Sequence, residues 1–381
     1  MQGLKEVVEK VHAAGLKVGI HCLNGFIYKR DPLATPIPDR RMATDGQVTL
    51  AADITANDSF VPTVESPSDF PSDIAYGLER QGFDVRIDDE IISYRGLSTE
   101  TPYGLLRCVR GAHRTRKAPH KKGAPVWHLT QRNNHYLVDC DTDLAHQVAA
   151  RYAEVINTCK LDMIYFDGGF SNRALGEEYQ WRYVPQIAMQ SAALWEREVR
   201  VGGAVTGSLF WHQKSFITCN DFVGLAARQF FEHDKLSKGR AGLENEVPVD
   251  LGWWGLHSWA PHYRSTTPDE IEFVCQKALG YGTFWSLETW LDKIHGCGRW
   301  PEIKKTIATY ERLRLADYFD ESVKKPIREQ EAEFKLLGSD KDGWRLVPAR
   351  YGPSHLVRDQ SSSTWGLQND LPNQPLRFRL Y

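Results

Sequence analysis

No run of about eighteen apolar residues occurs in this sequence, so no membrane-spanning helix is expected. A strong charge of either sign is also missing. At a formal net charge of -2 the chain lacks the general positive field that holds nucleic acid by its phosphates. Seven cysteines form no C-x-x-C pair and none of the short spacings that bind zinc, so they read as buried thiols rather than a disulfide framework. No G-x-G-x-x-G follows an apolar run, which removes a dinucleotide loop. H-x-H and H-E-x-x-H spacings are absent as well, so neither a cofactor nor a metal is expected. Internal repeats and low-complexity stretches do not occur.

What is present suits a folded chain with one large domain and a smaller one: 381 residues, 41% of them hydrophobic and 25% charged. Gly3 to Ala14 carries helical apolar spacing at Leu4, Val7, Val8 and Val11, and the chain turns at Gly15 into the apolar run Leu16 to Leu23. The first residues lack the basic-then-apolar order of a signal peptide. A domain that opens on a helix is expected to have an earlier strand ahead of it. With an export signal ahead of that strand, the protein would be periplasmic or secreted.

Buried parallel strands are nearly all apolar, because both faces are covered. Leu16 to Leu23, Met163 to Phe166, Val205 to Trp211, Val247 to Leu256 and Tyr281 to Leu287 fit that description. Amphipathic helices alternate with them at Asp143 to Asn157, Pro185 to Glu198 and Pro268 to Leu279. The last has Thr267 as N-cap, Pro268 in the first turn and Glu270 at the capping-box position. This alternation predicts an α/β fold of the (β/α)8 TIM-barrel type, incomplete or irregular because fewer than eight strands can be counted. The expected catalytic barrel comprises 1–44 and 130–324. A β-rich insertion at 45–129 contains Val85 to Tyr94, Gly104 to Val109 and Ala124 to Leu129. A small C-terminal β-domain at 325–381 opens with a helix from Pro326 to Leu337, followed by short strands at Trp344 to Pro348, His355 to Val357, Ser363 to Leu367 and Pro375 to Leu380.

The sharpest chemical signal is Met163-Ile164-Tyr165-Phe166-Asp167-Gly168-Gly169. An apolar strand ending in an acid puts a carboxylate at the C-terminal face of the sheet, where the catalytic groups of such folds gather. The glycines after it let the chain turn and a substrate approach. The aromatic-Asp-Gly ending Tyr165 to Gly168 resembles the nucleophile strand of the α-L-fucosidases. The helix followed by Gly15 to His21 is similar to the early helix-and-strand unit of the α-galactosidase and α-glucosidase barrels. The resemblance covers two short motifs, under a tenth of the chain, and implies a retaining glycoside hydrolase in which Asp167 attacks the anomeric carbon.

Glycoside hydrolysis needs a second carboxyl group, about 5 to 5.5 Å away for retention and about 6.5 to 9.5 Å away for inversion. Asp250, in Val249-Asp250-Leu251-Gly252-Trp253-Trp254, is the first candidate and Glu288, in Trp285-Ser286-Leu287-Glu288-Thr289-Trp290, the second; Asp221 ranks below both. Apolar neighbours raise a carboxyl pKa toward that of a general acid. Trp211, Trp253, Trp254, Trp285 and Trp290 stand at expected strand ends and offer flat faces to sugar rings, as does Trp259, with core packing as the alternative role. His21, His212 and His257 follow strands and can bind hydroxyl groups. Arg107 to Lys122 is strongly basic, suited either to an anionic polysaccharide or to a solvated loop.

The expected activity is therefore hydrolysis of an O-glycosyl bond in an oligo- or polysaccharide. Two alternatives stay open. One is a polysaccharide lyase acting on a uronate or sulfated chain, with Tyr165 or His21 moving the proton. The other is a carbohydrate-binding protein without catalysis.

Overall fold

The computed structural model describes residues 1–72, 82–132, 134–167, 177–203, 213–218, 221–222, 228, 248–257, 265–329, 332–350, 355–366 and 368. The chain divides into two compact units, Met1–Ser215 and Phe216–Tyr381.

In the first unit, α1 (Gln2–Ala13) leads into β1 (Gly19–Leu23) and β2 (Phe26–Tyr28). Short strands follow: β3 (Thr44–Thr49), β4 (Val61–Pro62), β5 (Asp84–Ile87), β6 (Glu90–Ser93), β7 (Gly96–Ser98), β8 (Gly104–Leu106), β9 (Pro125–Leu129), β10 (Gln131–Arg132) and β11 (His135–Leu137). The chain then returns to alternation with α2 (Leu144–Cys159), β12 (Met163–Asp167), α3 (Glu177–Ala192) and β13 (Arg200–Gly203). β1, β12 and β13 form a parallel sheet in the order β1-β12-β13. The strands from β3 to β9 make two antiparallel sheets of their own, β3-β9-β5-β6 and β4-β8-β7. Asp88, at φ 50°, turns the β5–β6 hairpin.

Alternation along the parallel strands decides which side chains meet the helices. Ile164 and Phe166 are fully buried and pack with Val8 of α1, Ile156 and Cys159 of α2 and Ala188 of α3; Ile20 and Cys22 join the same cluster. Burying each large apolar side chain contributes about 1.5–3 kcal/mol, so this face holds the sheet to its helices. The other face is left to His21, Tyr165 and Asp167.

The second unit begins with β14 (Ile217–Thr218) and β15 (Asp221–Phe222), which pair in parallel with successive halves of β16 (Val249–Gly255). α4 (Pro268–Tyr281) connects β16 to its parallel partner β17 (Phe284–Glu288). The expected capping box is formed: the Thr267 backbone N–H donates to Glu270 Oε2 at 2.9 Å. α5 (Leu291–Gly296), α6 (Trp300–Leu315), α7 (Glu321–Ile327) and the antiparallel pair β18 (Phe334–Ser339) and β19 (Gly343–Pro348) complete the described part.

Three expectations change. Among the described residues the parallel strands form two separate sheets, one in each unit, and no closed barrel; the run Val205 to Trp211 lies outside the described residues. Pro185 and Pro326 lie inside helices rather than in first turns. In the second case Asp320 is the true N-cap, its side chain accepting from the Ser322 and Val323 backbone N–H groups, so the helix ends at Ile327 and Phe334 starts a strand. Residues 355–366 contain no strand, and Pro375 to Leu380 lies outside the described residues.

Candidate functional site

α2 stops because Lys160 takes the left-handed conformation at its C-cap, at φ 56°, and three residues later the chain enters β12. β12 runs in register with β1, pairing His21 with Tyr165 and Leu23 with Asp167. Asp167 therefore ends its strand at the carboxyl edge of the sheet, where open α/β sheets place their ligands. Its carboxylate Oδ2 lies 3.2 Å from His21 Nε2, and the two side chains are 36% and 44% exposed. The His21 ring stacks on Tyr165, with centroids 5.5 Å apart and planes inclined by 16°. Tyr165 itself is only 6% exposed, so it forms a fixed floor under the imidazole. An open carboxylate held by an imidazole, with the apolar core behind it, can act as a nucleophile or take up a proton.

A different carboxylate stands at the opposite end of β12. Asp162 lines a cleft of about 510 Å³ with His12, Lys17, Lys160 and Arg197. Burial opposes its charge, yet it is held down to about 2 by the Val18 backbone N–H, His12 and Lys17. Arg197 adds a contact of 2.9 Å. This carboxylate ties α1, β12 and the segment before β13 together, and the amino end of the strands is the end that serves stability.

In the second unit the structure separates the two acid candidates. Asp250 is the second residue of β16 and has no exposed surface. Burial pushes its carboxyl up to about 6, although Ser286 Oγ donates to it at 2.8 Å, the Gly252 backbone N–H at 3.0 Å and Thr218 Oγ1 at 3.4 Å. Glu288 ends β17 and is half-buried. It is in register with Gly255, whose Cα is overhung by the His257 imidazole: a Cβ there would meet Nε2 at 2.5 Å. Glu288 and His257 thus share the carboxyl rim of this sheet. Asp221 opens β15 beside Trp253.

A bulge sorts the tryptophans. Asp250 pairs with Phe284 and Trp253 with Ser286, so β16 carries one extra residue, and Gly252 absorbs it at φ +109°. Strict alternation would set Leu251 and Trp254 on opposite faces. Past the bulge both turn to α4, where Trp254 is 5% exposed and packs with Leu251, Phe273 and Val274. A packed indole offers no face to a sugar. Trp285 contacts the same cluster, Trp253 is half-buried, and Trp290 is 62% exposed. Trp211, His212, Trp259, Gly168 and Gly169 lie outside the described residues.

Two basic residues of the Arg107 to Lys122 stretch turn inward, Arg110 and His120. Arg110 is 5% exposed and donates to Glu90 at 2.7 and 3.0 Å, and His120, 2% exposed, bridges Glu90 and Asp88 at 2.8 Å each. His113 meets Asp84 at 2.9 Å and Lys121 meets Asp53 at 2.8 Å. Arg107, Arg114, Arg116, Lys117, Lys121 and Lys122 stay exposed. Among the described residues, no group of three His, Cys, Asp or Glu side chains is arranged to hold a metal ion. No described helix is long and apolar enough to cross a membrane. The described cysteines are free thiols, with Cys108, Cys140, Cys159 and Cys275 buried.

No family model and no curated protein matches the chain. The solved structures to which it is similar include three glycoside hydrolases. The first is the α-galactosidase of Lactobacillus brevis, at 12% identity and TM-score 0.43 over 88% of this chain and 34% of that one. A putative α-N-acetylgalactosaminidase of Bacillus halodurans follows at 12% identity and TM-score 0.39, covering 91% and 61%. The trehalose-6-phosphate hydrolase of Bacillus licheniformis matches at 7% identity and TM-score 0.39, covering 82% and 60%. The chain spans about a third of the first of these proteins and less than two thirds of the other two.

Proposed function

We propose that this chain belongs to a glycoside hydrolase in which Asp167 is the nucleophile of a retaining reaction on an oligo- or polysaccharide. The observation that carries the reading is the open Asp167 carboxylate at the carboxyl end of β12, in contact with His21. Its Oδ1 or Oδ2 attacks the anomeric carbon as the glycosidic C–O bond breaks, and water then releases the sugar and frees the carboxylate. His21 orients the carboxylate and can bind a sugar hydroxyl group.

Protonation of the leaving oxygen needs a second acid. Glu288 fits that role better than Asp250, since a general acid must reach the oxygen and Asp250 has no exposed surface. The strands from β3 to β9 are proposed as an insertion into the catalytic domain. Trp253 and Trp290 are proposed to contact the sugar chain.

The test is turnover of a panel of 4-nitrophenyl α- and β-glycosides by the wild-type protein and by Asp167→Asn. Loss of turnover by at least about a thousandfold with unchanged thermal unfolding is expected. Full activity in the variant would exclude the role.

A further inference from the structure

Directly after β1 the chain lays a row of rings beside the Asp167 rim. The Asn24 backbone N–H donates to the Asp167 carbonyl at 2.8 Å, and Gly25, at φ +75°, reverses the chain into β2. Phe26 is therefore three residues from Leu23, the register partner of Asp167, within about 11 Å of extended chain. β2 pairs antiparallel with β11, and opposite residues share a face. Ile27 and Tyr136 take the inner face, at 2% and 0% exposed. The other face carries Phe26, Leu137, His135 and Tyr28; Leu137, opposite Phe26, is 2% exposed, so the accessible part of this face is its three rings. His135 lies 5.8 Å from each of the other two rings, inclined by 36° to Phe26 and 49° to Tyr28. Phe26 and His135 are half-buried, and Tyr28 is 54% exposed.

Single exposed aromatics need no explanation, but rings joined in a row at the edge of a candidate site form a surface. Its size decides what can cover it. A stable protein partner buries about 800 Å² on each side, whereas three partly covered rings of about 150–250 Å² each expose far less. A sugar ring is of the right size, and its C–H face suits an uncharged aromatic face. We propose that Phe26, His135 and Tyr28 form a platform for a sugar residue of the substrate beyond the one cleaved at Asp167, which makes the site one for oligosaccharide or longer chains. The proposal rests on the glycosidase reading of Asp167.

The test compares wild type, Tyr28→Ala, His135→Ala and Tyr28→Phe on the 4-nitrophenyl monoglycoside that wild type cleaves and on the tetrasaccharide of the same sugar. Both alanine variants are expected to raise KM for the tetrasaccharide roughly three- to tenfold and to leave the monoglycoside within about twofold. Tyr28→Phe keeps the ring and should behave as wild type. Thermal unfolding checks that the variants are folded. Equal effects on both substrates, or no effect on the tetrasaccharide, would overturn the platform while leaving the glycosidase reading in place. Failure of wild type to cleave any glycoside of the panel would overturn both.

Discussion

His21 Nε2 lies 3.2 Å from Asp167 Oδ2, a contact made across two parallel strands whose register places His21 beside Tyr165 and Leu23 beside Asp167. A hydrogen bond to a charged group contributes about 1.5–3 kcal/mol. Accordingly His21→Ala is expected to lower kcat/KM about ten- to hundredfold, and His21→Gln to recover part of the loss. Unchanged kinetics in His21→Ala would show that the imidazole does not serve the carboxylate.

The general acid is identified by the leaving group. If Glu288 protonates the departing oxygen, Glu288→Gln loses activity on alkyl glycosides and natural linkages but keeps it on 2,4-dinitrophenyl glycosides, whose leaving group needs no proton. Asp250→Asn should show no such split. The reverse pattern would give the role to Asp250.

Asp250 also makes a stability prediction. Its folded pKa of about 6 exceeds the ordinary 3.8, so the folded state binds the extra proton between these values. Stability therefore falls as pH rises from about 4 to 6, and the penalty persists above that range. Asp250→Asn is isosteric: its oxygen can accept from Gly252, and its amide can donate to the Ser286 and Thr218 hydroxyls. Thermal unfolding should show the variant stabilised by up to about 2–3 kcal/mol at pH 8 and not at pH 4. Equal effects at both pH values would mean that the carboxyl titrates normally.

In the buried group Arg110, Glu90 and His120, the carboxylate has the opposite pH dependence and the imidazole the same one. Burial works against Glu90, but His120, Arg110 and two backbone N–H groups bring it down to about 2. Its contribution is present above the ordinary 4.5 and lost as pH falls toward 2. For His120, burial is outweighed by Glu90 and Asp88, which raise its pKa. That contribution is present below the ordinary 6.5 and lost as pH rises through the raised value. Replacing Arg110 with Met should destabilise the protein at pH 7 by about 3 kcal/mol, because the buried Glu90 would lose its bidentate guanidinium partner and keep only His120 and the backbone N–H groups. A loss below about 1 kcal/mol by urea unfolding would contradict this.

Sequence pattern revealed those elements whose residues act locally. Thr267, Pro268 and Glu270 start α4 by contacts within one turn, and the apolar run Met163 to Phe166 ending in Asp167 marks both the buried strand and the carboxylate at its end. Which tryptophan of Trp253-Trp254 belongs to the core was not readable, because the bulge at Gly252 moves Trp254 to the helix side, and a bulge is set by the neighbouring strand. Arg110 and His120 looked like a basic surface because their partner Glu90 comes from a hairpin 20 and 30 residues away in sequence. The row Phe26, His135 and Tyr28 gave no local signal, since antiparallel pairing over more than a hundred residues assembles it.

Covalent labelling tests the Asp167 assignment most directly. The protein would be incubated with 2,4-dinitrophenyl 2-deoxy-2-fluoroglycosides matching the sugar and anomer cleaved in the nitrophenyl panel, digested, and analysed by mass spectrometry. One fluoroglycosyl group on Asp167, with dinitrophenol released in equal amount, is the expected result. A label on any other carboxylate, or none on a protein that turns the sugar over with retention, would contradict it.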